Sequence, residues 1–132
     1  MKKLEEILMK IDVAQMIYIS QRNLAVENVE IIRTDYKSDS YQLMSLSVCA
    51  GVAAKFGRDL RSKIMDALRL YNNISFFSLS KYQYWGFDER MKFVIKLLDH
   101  EISNMELIKR AADERCKKVI SSRINSHLDN LF

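Results

Sequence analysis

The residues of this chain predict an all-α protein: a compact helical bundle of five to six helices around a buried central helix, about residues 41–56, in one domain spanning 1–132. Three observations carry that expectation. The chain has no proline and three glycines in 132 residues, and tight turns and β-hairpins lean on those two residue types. Leu, Ile, Lys, Glu, Met and Arg are abundant, and all but Ile rank among the stronger helix formers. Apolar residues also recur at intervals of three and four along most of the chain, the spacing of helices with one buried face.

The central helix is the most distinctive stretch. Tyr41 to Phe56, YQLMSLSVCAGVAAKF, carries no charge between Gln42 and Lys55. A helix that is apolar or small all round is normally buried on several sides. At roughly 24 Å it is too short, and too rich in serine, for a membrane span of about 20 apolar residues. The row Ser45, Cys49 and Ala53 is small enough to let a neighbouring helix approach closely.

The other elements follow in order. Leu4, Ile7, Leu8, Ile11, Ala14 and Tyr18 make one amphipathic face, opposite Lys2, Lys3, Glu5, Glu6 and Lys10. Asp12 and Gln15 have the spacing of a capping box, so this is either one long helix or two shorter ones. Residues 24–33, LAVENVEIIR, suit a helix or a strand; with no partner strand in sight, helix is the reading. TDYKSDS at 34–40 is a polar loop, with Asp39 or Ser40 as the N-cap of the central helix. Gly57 then reads as a left-handed C-cap. Leu60, Ile64, Ala67, Leu68 and Tyr71 mark a further helix over 58–72. Beyond an irregular connection, Phe87, Met91, Val94, Ile95, Leu98 and Ile102 repeat at helical spacing. Ser103 and Glu106 form an S-x-x-E capping box that predicts a final helix, starting at Ser103 and running to about Leu128.

Composition bounds the function. With 48% hydrophobic and 29% charged residues the chain is globular rather than disordered. A net charge of +4 is modest; it permits an anionic partner without the concentrated basic stripe of a dedicated nucleic-acid binder. Cys49 and Cys116 read as small buried thiols. The N-terminus carries acidic residues and no long apolar run, unlike a signal peptide. The expected setting is cytoplasmic, or the cytoplasm of a host cell, with no membrane partner. The short Lys/Ile/Asn-rich chain is compatible with a phage, viral or mobile-element accessory protein.

Two constellations are candidates for binding. Residues 74–87 hold six of the thirteen aromatic residues. Tyr82, Tyr84, Trp85 and Phe87, flanked by Lys81 and Arg90, suit a protein-partner surface, because aromatics with Arg dominate interface hot spots. The competing reading is that these rings cap the core. Lys55, Arg58, Arg61, Lys63 and Arg69 form a basic margin that could contact phosphates of a nucleic acid. The competing reading is a solvated face, since Asp59 and Asp66 share the helix. No phosphate-binding, dinucleotide-binding or nucleophile-elbow motif is present, so no catalytic residue is assigned. Neither a metal nor a cofactor is expected: His100 and His127 show no ligand spacing. The R-x-x-x-H at Arg123 to His127 is one residue short of the pattern of helical HEPN ribonucleases. The expectation is a small module that binds a protein partner or self-associates, with nucleic-acid binding as the alternative.

Overall fold

A computed structural model describes residues 2–33, 40–74 and 84–131. The helices among the described residues are α1 (Lys2–Glu27), the one-turn α2 (Glu30–Arg33), α3 (Ser40–Asn72) and α4 (Phe87–Leu131). No strand occurs among the described residues. The all-α class holds, but the five to six helices expected are not what forms: among the described residues there are three long helices and a single turn.

Each missing break has a physical reason. Asp12 and Gln15 lie exposed inside α1, which runs through them for 26 residues. Gly57 does not cap a helix; it sits buried in the middle of the 33-residue α3. The one positive-φ glycine among the described residues is Gly86, at φ 76°, in the turn that leads into α4. Ser103 does not begin a helix either. Leu98, Ile102 and Met105 keep one buried stripe running through the capping motif, and packing along that stripe outweighs a local signal worth about 1 kcal/mol. Residues 24–33 are helical as expected, interrupted by a turn at Asn28 and Val29. There the Asn28 side-chain amide donates to the Leu24 carbonyl at 2.7 Å.

Helix α3 is the centre, with α1 and α4 packed against it. Its pairings with α4 descend in register: Ser40 meets Arg123, Ser47 meets Asp113, Arg58 meets Glu106 and Arg61 meets Asp99. The two helices are therefore antiparallel. Ser47, Ala50, Ala54 and Gly57 repeat at three and four residues and are all buried, so the row of close approach differs from the Ser45–Cys49–Ala53 row. Ser45 is exposed and Cys49 half-buried. A Cβ on Gly57 would stand 2.8 Å from Ile102 Cγ1 and 3.1 Å from Tyr18 Cε1. All three long helices converge at that point.

The stretch 41–56 is the first half of α3, and it is not buried on all sides. Tyr41 is 76% exposed, Val48 63% and Met44 49%. Two neighbours cover one side of this helix, and the uncharged outer side faces solvent.

Candidate functional site

The aromatic connection divides between core and surface. Tyr82 and Lys81 lie outside the described residues. Phe87 is buried, packed at a tilt against Tyr71 at 5.0 Å between centroids and edge-on to Tyr84 at 5.9 Å. It belongs to the core and is not available to a partner, as the capping alternative has it. Tyr84 is half-buried beside it. Trp85 remains outside, 79% exposed. Arg90 braces the turn that presents this indole: its Nη2 donates to the Trp85 carbonyl at 2.9 Å.

The basic margin is assembled but electrically spent. Arg58, Arg61 and Arg69 line one groove between α3 and α4, of about 540 Å³, together with Ser62, Asp66 and Asp99. Arg58 pairs with Glu106 at 2.6 Å, Arg61 with Asp99 at 2.6 Å and Arg69 with Asp66 at 3.1 Å. Lys63 pairs with Asp59 at 2.7 Å, and Lys55 is exposed. A phosphate entering the groove would have to displace carboxylates that already hold the guanidinium groups. The carboxylates come largely from α4, a helix that sequence reasoning had no means of setting against α3.

No protein-family model, no curated protein and no solved structure matches this chain. The site must therefore be read from its own chemistry.

Two polar trios fasten the helices. The buried Tyr18 donates its hydroxyl to Glu101 Oε2 at 2.6 Å, and Arg22 Nη1 donates to Glu101 Oε1 at 2.9 Å, tying α1 to α4. Burial, then the bond to Glu101, pushes the Tyr18 phenol well above the usual tyrosine range. Between α3 and α4, Ser47 donates to Asp113, whose second oxygen accepts from Lys109 Nζ at 2.9 Å. The Ser47 hydroxyl, then Lys109, holds the Asp113 carboxyl below the ordinary carboxylate range. A lowered value means that this stabilisation is present above the unfolded-state pKa and lost as pH falls through the folded one. Acid titration followed by circular dichroism should show Asp113→Asn losing part of the acid dependence of the wild type. An unchanged acid limb would mean that the trio contributes nothing to folding.

His100 and His127 lie on the same helix, 27 residues and about 40 Å apart. At that separation the two imidazoles of one protomer do not meet. Among the described residues no cluster of His, Cys, Asp and Glu could hold a metal ion, and no helix is long and apolar enough to cross a membrane.

Sequence reasoning missed an apolar groove between α1 and α3. Met9, Val13, Ala14, Ile17 and Phe56 line it, with Lys10, Asp59 and Lys63 at its rim, around about 350 Å³. Met9 is 69% exposed, Val13 58% and Met16 72%. The signal was present in α1 as a second apolar row, Met9, Val13, Met16 and Ile17, beside the row that packs inward. One row is enough to predict a helix; the second says that it has two apolar sides.

Proposed function

We propose that this chain is a small helical module, without catalytic activity of its own, that binds another protein by seating an apolar segment in the α1–α3 groove. The observation that carries this reading is the groove itself, with Met9, Val13, Ile17 and Phe56 on its walls and charged side chains only at its rim. Such a cleft suits an amphipathic helix whose anchors recur at three and four residues. Clustered apolar exposure of this kind marks an interaction surface when the rim is polar. Trp85, exposed among the described aromatics of the connection, supplies a second anchor point. Nucleic-acid binding is the weaker reading, because carboxylates pair Arg58, Arg61 and Arg69.

Affinity capture with the wild-type chain and with Ile17→Lys tests the proposal. Ile17 is 40% exposed, so the substitution should leave the helix content intact. It places a charge in the apolar cleft and should weaken capture at least about tenfold, the scale of a 1.4 kcal/mol loss at a hot spot. Capture should survive nuclease treatment and change little between low and physiological salt. Equal capture by Ile17→Lys would remove the groove from the account. Steep loss with salt or nuclease would favour the phosphate reading.

A further inference from the structure

A second apolar surface lies on the other side of α3, where α3 begins and α4 ends. Arg123 reaches the hydroxyl of Ser40, the first residue of α3. Helix α4 therefore continues for eight residues beyond that point, about 12 Å, and every residue from 120 to 131 is exposed. On this overhang Ile120 is 41% exposed, Ile124 54%, Leu128 45% and Leu131 65%. Counting back from them by three and four residues reaches Asp113, which meets Ser47. The four side chains thus continue the edge of α4 that borders α3. On α3, Met44 and Val48 share a row with Gly51, which abuts Lys109 of α4. In the register set by Ser40–Arg123 and Ser47–Asp113, the Met44 end of one row comes beside the Ile120 end of the other.

We infer that this patch is covered by a second copy of the chain, in a two-fold dimer whose α4 ends cross antiparallel near Ile124. The inference rests on reading the chain as a protein-binding module, and it names one partner. Each protomer offers an apolar helix end without a platform and an apolar platform, Met44 and Val48, without a helix. A two-fold exchange lets each cover the other, as an isologous interface requires. Six such side chains expose several hundred Å², the size of the largest apolar patch on a typical monomer, which is often functional, and two copies together approach the roughly 1,000 Å² that a specific interface needs.

Charge sets the direction. Lys117 and Lys118 lie at the root of the overhang and Arg123 is turned back to Ser40, whereas Asp129 is the one formal charge from 124 to 131. A parallel pairing would set Lys117 beside its own copy. With Ile124 on the axis of an antiparallel pairing, the two Lys117 side chains stand 14 residues apart along the helices. That is about 21 Å of rise, more than twice the Debye length at physiological salt. Ile120 then faces Leu128 of the second copy, and Leu131 reaches towards its Met44.

Analytical ultracentrifugation at about 50 µM should give a mass twice the 15.5 kDa of one chain. Ile124→Glu should be monomeric, with wild-type helix content, because Ile124 is exposed in the single chain, and its melting should lose the concentration dependence expected of the dimer. In a Cys49→Ala, Cys116→Ala background, Ile120→Cys mixed with Leu128→Cys should form an intermolecular disulfide, while each alone should not. A monomeric wild type, a dimer that survives Ile124→Glu, or cross-linking of either single variant with itself would each overturn the antiparallel dimer. So would a monomer that binds anionic vesicles through this patch. A monomeric chain that still captures a partner through the α1–α3 groove overturns the dimer alone. Equal capture by wild type and Ile17→Lys, with dimerisation intact, overturns the groove reading alone.

Discussion

Replacing Gly57 with leucine should abolish cooperative folding, and the loss should grow with side-chain size from alanine through valine to leucine. A Cβ at this position meets Ile102 Cγ1 at 2.8 Å and Tyr18 Cε1 at 3.1 Å. Neither neighbour can retreat easily. Ile102 is buried and branched at the contact, and Tyr18 is fixed by its bond to Glu101. In an ordinary exposed helix the change from Gly to Ala would stabilise by about 1 kcal/mol. Here overpacking, worth about 1–3 kcal/mol, opposes that gain and should exceed it. Urea denaturation measures the balance. Ile102→Ala should be less damaging in the Gly57→Ala background than in the wild type, because it makes room for the added methyl. If Gly57→Ala raises the urea midpoint, the helices do not approach as closely as the geometry shows.

Removing the carboxylate of Glu101 should produce the second large effect. This side chain accepts from both Tyr18 and Arg22 and joins α1 to α4. Glu101→Ala leaves the Tyr18 hydroxyl without that acceptor, at a cost of about 1–3 kcal/mol for an unsatisfied buried donor. The same trio should impose an alkaline limb on stability. The folded-state pKa of Tyr18 is raised, mainly by burial. Its contribution is therefore complete below the unfolded tyrosine value of about 10 and declines as pH rises above it. Tyr18→Phe should flatten the stability profile above that pH, as read by urea midpoints across a pH series. A Tyr18→Phe profile that falls as steeply as the wild type would show that other groups cause the alkaline loss.

The spacing of Leu60, Ile64, Ala67 and Leu68 is the spacing of the buried face of α3, and Leu98, Ile102 and Met105 serve α4 likewise. Periodicity reports which side of a helix is buried, so those faces were legible residue by residue. Helix ends were less so. Gly57 and the Ser103–Glu106 box are sound local stop and start signals, yet both sit inside continuous helices. A glycine that ends a helix and one that admits a neighbour look alike until the neighbour is in place.

The candidate sites divide along the same line. Phe87 and Trp85 are two residues apart and chemically alike, but one packs against Tyr71 and the other stands in solvent. Their different fates depend on where Tyr71 lies, a fact of packing. The arginines of α3 formed a plausible phosphate margin until Asp99 and Glu106 of α4 came alongside. Charges far apart in sequence cancel only when two helices are set in register.

From its residues alone, this chain is committed to helices: it has no proline, few glycines and apolar rows at helical spacing. Those are local properties, set by backbone preference and by the need of each helix to bury one face. The tertiary structure decided which apolar residues find cover. The uncharged stretch from Tyr41 to Phe56 reads as a core helix, but α1 and α4 enclose part of its circumference and leave Met44 and Val48 outside. The apolar rows of α1 and of the end of α4 are exposed for the same reason. Three helices cannot surround one another, and the faces left over are where this protein has surface to offer a partner.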